Sequence, residues 1–220
     1  MCGKYLFPGM IFAALALTGS AMAKPDAASP APLSGDQQMV DDLVRQCASL
    51  TCRASARHFS LRTPDGKTVE GDTLPFPYVN DRGTVFVYPD ETVSVSLVRQ
   101  GDKLAPPVFV AATDPGGTTA SKQADVTPAN FSFQLRQLDK VPGTVLIITN
   151  RMDADIKLDL VMYVPISGGM RAVHTSSCPV LPPQNGQKSF SGIEQWPHPV
   201  MMVAIAGIHV LPPGAPRVCE

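Results

Sequence analysis

Four histidines are the side chains best suited to metal binding or acid–base chemistry in this sequence of 220 residues. They are His58, His174, His198 and His209. No two of them form an H-x-H pair, and none belongs to an H-E-x-x-H zinc motif. We therefore expect each to have a structural or surface role. His58 alternates with Phe59 and Leu61, so it should face solvent.

One histidine has neighbours with the chemistry of a copper site. His198 is followed closely by Met201 and Met202, and thioether with imidazole suits copper in an exported protein. Adjacent residues of a strand point to opposite faces, so only one methionine could join His198. Core packing explains both methionines more simply, and we predict neither a metal nor a cofactor. A metal-binding protein or hydrolase that uses His198 or His174 is kept as the second alternative.

Nucleophile and phosphate motifs do not point to catalysis. The sequence contains neither G-x-S-x-G nor S-x-x-K. Gly66-Lys67-Thr68 is similar to the end of a phosphate-binding loop, but Leu61 stands where that loop needs a glycine. We predict a turn that enters a strand.

Two pairs of carboxylates could bind a cation or take part in acid–base chemistry. The first is Asp41 with Asp42, which we assign to the polar face of a helix. The second is Asp153 with Asp155, which we assign to a hairpin loop after Asn150, where aspartate favours a turn. We predict no catalytic residue in either pair.

Trp196 is the only tryptophan and is followed by Pro197, His198 and Pro199. A rigid indole on a loop can stack on a sugar or anchor a partner chain, so Trp196 and His198 form our candidate binding surface. The alternative is an indole that plugs the end of the core. An exposed strand edge is a second candidate surface, because its unpaired backbone groups can accept a strand from another protein.

The N-terminus predicts export. Lys4 supplies a positive charge, residues 6–17 are apolar, and residues 21–23 fit a cleavage site, so we predict a signal peptide over residues 1–23. The apolar stretch is shorter than the ~20 residues that cross a bilayer, and we expect no membrane anchor after cleavage. Residues 24–35 are rich in Pro, Ala and Ser, which predicts a flexible leader.

Four cysteines follow the signal, and an even number in an oxidising compartment predicts disulfides. They are Cys47, Cys52, Cys178 and Cys219. Of the three possible pairings, the most economical joins Cys47 to Cys52 and Cys178 to Cys219. Four free thiols and a zinc site built from all four cysteines are the alternatives, and only one pair has zinc-knuckle spacing.

A capping-box signature and an apolar stripe of helical period follow the leader. The box is Ser34 and Gln37, and the stripe is Met39, Val40, Leu43, Val44 and Cys47. They predict an amphipathic helix from about 36 to 49, within an N-terminal segment 36–52 that packs on the domain. An ideal helix would place the Cα atoms of Cys47 and Cys52 about 8.7 Å apart, which is too far for a disulfide. If the two are bridged, the helix must end before Cys52.

From residue 57 onward apolar residues recur at every second position, which indicates half-buried strands. Clear examples start at Phe59, Val93, Phe131 and Ile156. Residues 108–112, 145–148 and 200–208 are apolar on both faces, which predicts strands under a covering layer or at an interface.

Turn residues such as Pro64-Asp65-Gly66 and Asn185-Gly186 separate these runs at intervals typical of antiparallel connections. We predict a mainly β domain over residues 57–220. Its expected architecture is an antiparallel β-sandwich of immunoglobulin-like or related topology with one N-terminal amphipathic helix, and a closed barrel is the alternative.

Two segments resemble known families. Residues 143–165 (GTVLIITNRMDADIKLDLVMYVP) resemble the paired strands of immunoglobulin-like domains in bacterial envelope proteins. Residues 176–210, with SSCPVLP, QWPHP and a closing apolar strand, are similar to uncharacterised secreted bacterial families. The resemblance implies an immunoglobulin-like fold and a periplasmic or secreted location, and it does not imply an activity.

Charge limits the class of partner. The chain has 18 Lys and Arg against 19 Asp and Glu without a long basic run, so it lacks the footprint of a nucleic-acid-binding protein. The sequence contains no motif with the spacing of catalytic residues. We therefore predict a non-catalytic exported protein that acts as a binding or assembly module, with a protein or cell-envelope partner. A periplasmic chaperone-like subunit of a surface-assembly system is the first alternative.

Overall fold

The computed structural model describes residues 41–42, 45–114, 119–121, 128–167 and 169–219. The predicted signal peptide and the predicted leader lie outside the described residues. Of the predicted helix, residues 41–42 and 45–47 are described and are helical, and a turn follows at 48–49. No helix in the described part of the chain has the length and hydropathy needed to cross a membrane.

Short strands account for most of the regular structure in the described ranges. In chain order they are β1 (His58–Arg62), β2 (Thr68–Asp72), β3 (Val85–Val87), β4 (Glu91–Ser96), β5 (Arg99–Gln100), β6 (Lys103–Leu104), β7 (Val108–Thr113), β8 (Thr119–Ser121), β9 (Phe131–Gln137), β10 (Thr144–Asn150), β11 (Ile156–Ile166), β12 (Gly169–Ser176), β13 (Phe190–Trp196) and β14 (Met202–Val210). The prediction of a mainly β chain is confirmed.

Two larger sheets and two small hairpins contain these strands. One sheet has six strands in the order β13-β10-β9-β4-β7-β8, and the other has four in the order β12-β11-β14-β3. The hairpins are β1-β2 and β5-β6. Every strand pairing in the sheets is antiparallel, as the spacing of the turn residues predicts.

One buried cluster contains side chains from both larger sheets. On β9 of the six-stranded sheet, Phe131, Phe133 and Leu135 are fully buried and alternate with more exposed residues. On β11 of the four-stranded sheet, Leu158 and Leu160 do the same. The period-two pattern therefore identified the core-facing side of both strands correctly.

The first half of strand β14 is buried on both of its faces, whereas Ala206 and His209 in its second half are exposed, so the expectation from its continuous apolar run holds only in part. Met202 and Ala204 point away from Val203 and Ile205, yet each of the four is at most 4% exposed. The same expectation for residues 108–112 holds only in part, because Val108 is exposed. Strand β8 pairs only with the far end of β7, so among the described residues Val108 has no neighbouring strand on that side.

The prediction of a hairpin after Asn150 is wrong. Strand β10 belongs to the six-stranded sheet and β11 to the four-stranded sheet, so residues 151–155 cross between the sheets and the segment 143–165 does not consist of paired strands. Asn150 is fully buried and holds this crossing together. Its side-chain amide donates to the carbonyls of Ala154, Val180 and Leu181, and its Oδ1 accepts the N–H of Met152.

Both predicted disulfides are present. Cys47 is bonded to Cys52 and Cys178 to Cys219, with Cα–Cα distances of 5.5 and 4.3 Å. The backbone leaves the helix after Cys47, which is what bridging to Cys52 requires. The second disulfide joins the C-terminal tail to the segment between β12 and β13.

Candidate functional site

The predicted binding surface lies at the end of β13. Trp196 is half-buried and packs against the core, and His198 is half-buried in the loop that follows. The buried hydroxyl of Thr144 donates to the carbonyl of His198 (3.1 Å) and accepts the N–H of Val200 (3.0 Å). Trp196 therefore ends the strand with its indole packed against the core, and His198 lies in the loop that Thr144 holds at residues 198 and 200.

The two methionines that suggested a copper site have different surroundings. Met202 is 4% exposed at the start of β14, whereas Met201 precedes the strand and donates its N–H to the carbonyl of Tyr163. His198 Nδ1 lies 3.3 Å from the carbonyl oxygen of Pro199. Among the described residues no group of three or more His, Cys, Asp or Glu side chains is placed to hold a metal ion.

The other three histidines lie on three different strands. His58 is exposed on β1, as predicted, and its Nδ1 lies 3.2 Å from Asp72 Oδ1 across the hairpin. His174 is exposed on β12. His209 lies on β14, where its Nε2 is 2.6 Å from Asp159 Oδ2.

His209, which pairs with Asp159, borders a cleft of about 480 Å³ between β14 and the β5-β6 hairpin. The pair lies directly over Gly207, where a Cβ would come within 2.6 Å of Asp159 Oδ2 and 2.7 Å of His209 Nε2. An aspartate can orient a histidine as a general base. Both side chains are more than half exposed, however, and the residues lining the cleft include no Ser, Thr or Cys to activate.

In each of the two carboxylate pairs, one aspartate has an arginine partner. Asp155 accepts two hydrogen bonds from Arg217, at 2.8 and 3.3 Å, which ties the C-terminal tail to the crossing between the sheets. Asp42 pairs with Arg45. The Gly66 region forms the predicted turn, with Gly66 at a φ of 78° two residues before the start of β2.

The pattern of residue types did not reveal a buried charged cluster around Arg53. Arg53 and Glu91 form a bidentate ion pair, and their side chains are 2% and 0% exposed. The remaining guanidinium hydrogens point to the carbonyls of Phe76, Pro77 and Phe86, so all five N–H donors have acceptors. The rings of Tyr78 and Tyr88 also lie against the guanidinium, at 4.4 and 4.5 Å.

The two tyrosines titrate abnormally. Burial raises the pKa of Tyr78 to about 12, and the nearby Glu91 carboxylate adds to this shift. Burial likewise raises the pKa of Tyr88 well above its ordinary value. Because the arginine has no donor left for a ligand, the cluster fits a role in holding the N-terminal segment to the domain. The only hint in the sequence is an arginine directly after Cys52, which is a weak signal.

A second cleft of about 430 Å³ lies beside this cluster, between the β1-β2 hairpin and the six-stranded sheet. Arg57 enters it, and its guanidinium donates to Asp114 Oδ1 (3.3 Å) and to the Pro89 carbonyl (3.3 Å). The hairpin is held by Gln137, whose side chain pairs with both backbone groups of Arg62. The polar groups named here already have protein partners.

Two long strands have one side without a neighbour in the described sheets. They are β12, at the edge of the four-stranded sheet, and β13, at the edge of the six-stranded sheet. The two other edges differ: β3 is bridged on its outer side by residues near Val79, and β8 has only three residues. Unpaired backbone groups along a strand can bind another strand. The edges of β12 and β13 are therefore the longest unpaired strand edges of the two larger sheets in the described part of the chain.

Comparison with known proteins yields no match, either to a protein-family model or to a curated protein or solved structure.

Proposed function

We propose that this protein is a non-catalytic, exported binding or assembly module of the bacterial periplasm or envelope, and that it binds an extended segment of a partner protein along β12. We infer that its two antiparallel sheets form a sandwich of immunoglobulin-like or related topology, in which β12 is an edge strand. The free edge of β12 is the observation on which the proposal depends.

The backbone pairing shows which groups of β12 would face a partner. Ser177 donates its N–H to the carbonyl of Leu158, which fixes the phase of the alternating bonds between β11 and β12. By that alternation, the backbone groups turned away from β11 belong to four residues. They are Met170, Ala172, His174 and Ser176.

The composition and exposure of β12 suit strand addition. The strand is eight residues long, contains no proline, and is exposed over most of its length. The hairpin formed with β11 ends in two exposed apolar side chains, Ile166 and Met170. Main-chain hydrogen bonds would supply affinity for an added strand, and these apolar side chains would supply contacts at one end.

The disulfides support the exported location. Two disulfides in a chain of this size are typical of oxidising compartments such as the periplasm. They fasten both ends of the described domain. The predicted signal peptide agrees with this location.

In-cell photo-crosslinking tests the proposal. A photoreactive amino acid at Ala172 should capture a protein, whereas the same group at Val141, which is exposed in the turn between β9 and β10, should capture none. Mass spectrometry of the adduct identifies the partner. No adduct at position 172, or the same adducts at both positions, would contradict the proposal.

A pair of variants separates strand addition from other binding modes. With the photoreactive group kept at position 172, His174→Pro removes an N–H that faces the free edge and leaves the bonds to β11 intact, so it should abolish capture without unfolding the domain. His174→Val keeps that N–H and should preserve capture. If the captured protein is a subunit of a surface structure and is released on assembly, the chaperone-like alternative is favoured.

A further inference from the structure

Strand β13 carries an apolar side chain at an unusual position. Ile193 is 64% exposed, the largest exposed fraction among the large apolar residues of the described chain, and it is the middle residue of the seven in β13. Its neighbours on the same face, Ser191 and Gln195, are also exposed. The outer face of this edge strand is therefore polar at both ends and apolar at its centre.

The hydrogen bonds of the six-stranded sheet show which backbone groups of β13 are unused. Leu138 donates its N–H to Gly143 (2.9 Å), and Arg151 donates its N–H to Asn130 (2.9 Å), which fixes the alternation between β9 and β10. Residues 144, 146, 148 and 150 of β10 must then bond to β13. By register, the residues of β13 whose N–H and C=O face outward are Ser191, Ile193 and Gln195.

These three residues are evenly spaced along β13, with Ile193 in the middle. We propose that β13 pairs with β13 of a second copy of this chain, antiparallel about a two-fold axis at Ile193, which joins two six-stranded sheets into one continuous sheet. In this register Ile193 faces its own copy, and Ser191 faces Gln195 of the copy. All outward backbone groups are then paired, through about six hydrogen bonds.

The inward side chains are compatible with the same register. Phe190 meets Trp196 of the second copy, and Gly192 meets Glu194 of the second copy. Glu194 is the only charged residue of β13, and its carboxylate is turned toward the N–H of Cys178 (2.7 Å). Pairing across the axis therefore brings no like charges directly opposite each other and places a small residue opposite the carboxylate.

Edge protection favours β13 over β12 for self-association. A charged side chain on an edge strand opposes pairing with an identical strand, because two copies bring like charges together, and it still allows pairing with a partner strand of opposite charge. β12 presents Arg171 and His174 to solvent, whereas the exposed side chains of β13 carry no charge. The two edges belong to different sheets, so this inference does not rest on the proposed binding of a partner at β12.

Sedimentation equilibrium of the mature chain with both disulfides formed tests the dimer. The chain should show a monomer–dimer equilibrium, and Ile193→Lys should raise its dissociation constant about ten-fold or more, because two charges would meet at the axis. Val98→Lys is the control, since it introduces the same charge at an exposed apolar residue outside β13 and outside the proposed binding strand. It should leave the dimer unchanged.

Residue-resolved hydrogen exchange supplies an independent readout. The amides of Ser191, Ile193 and Gln195 should become protected as concentration rises, while those of Gly192 and Glu194 should be protected at every concentration. A chain that stays monomeric at millimolar concentration, or a dimer unaffected by Ile193→Lys, would overturn the inference. Loss of the dimer in Ile193→Lys with capture at position 172 intact would show that the two edges act separately.

Discussion

Arg53 and Glu91 form an ion pair that is sealed from water, with Arg53 Nε 2.9 Å from Glu91 Oε1. Arg53 belongs to the segment before the first strand, and Glu91 opens β4 at the centre of the six-stranded sheet. A buried charge is tolerated only when its hydrogen-bonding groups have partners, and here all five guanidinium donors do. The pair therefore attaches the disulfide-bonded N-terminal segment to the core of the domain.

Replacing Arg53 should be among the most damaging single changes in the described chain. Arg53→Met removes the bidentate partner of the buried Glu91 carboxylate and leaves only Arg57 Nη1, 3.8 Å from Oε1, so it should lower the free energy of unfolding by about 3–5 kcal/mol, measured by urea denaturation. The double variant Arg53→Met/Glu91→Leu should recover part of that loss. Lys67→Met, which breaks an exposed pair with Asp65, is the control and should cost less than about 1 kcal/mol. Equal losses at the two sites would disprove this role.

Tyr78 should make the fold sensitive to alkaline pH. Its pKa is raised to about 12 in the fold, so the folded state holds a proton that the unfolded state releases above about pH 10. Stability is therefore complete below about pH 10 and falls as pH rises toward 12, by at most about 1.4 kcal/mol per pH unit for this tyrosine. Tyr78→Phe should reduce that slope in urea denaturation measured across the range. An unchanged slope would mean that Tyr78 ionises normally.

The side of a strand that faces the core was predictable where buried residues recur at every second position. Phe131, Phe133 and Leu135 alternate with polar residues, and the same alternation determines which side of β9 faces the core. The disulfides were predictable because few cysteines leave few pairings. Both predictions depend on short-range pattern or on counting, which a single sequence contains.

Contacts between distant residues were not predictable in this way. Arg53 and Glu91 are 38 residues apart, and nothing near either one marks it as buried. The turn after Asn150 has the composition of a hairpin, but turn residues specify a change of direction and not the sheet to which the chain returns. That choice depends on the buried contacts of Asn150 with residues 180 and 181, which only the fold brings together.

The two disulfides should contribute unequally to stability. The loop closed by Cys178 and Cys219 spans 41 residues and that closed by Cys47 and Cys52 spans five, so the entropy lost by the unfolded chain is larger for the first. Replacing both cysteines of a pair by alanine should cost about 4 kcal/mol for the long loop and about 2 kcal/mol for the short one. Urea denaturation of the two double variants checks the order. The reverse order would show that folded-state contacts outweigh loop entropy.

Asn150→Asp should destabilise the domain in a pH-dependent way. The change keeps the size of the side chain but replaces an amide that donates to three carbonyls by a carboxylate that repels them, in a fully buried position. We expect a loss of about 3 kcal/mol or more at neutral pH, measured against the native chain. Burial raises the pKa of such a carboxyl in the fold, so the folded variant gains a proton before the unfolded one does as pH falls. The stability difference from the native chain should therefore shrink on acidification.

Asn185→Asp, in an exposed turn, is the matched control and should change stability by less than about 0.5 kcal/mol at either pH. If both variants behave alike, Asn150 does not hold the crossing between the sheets.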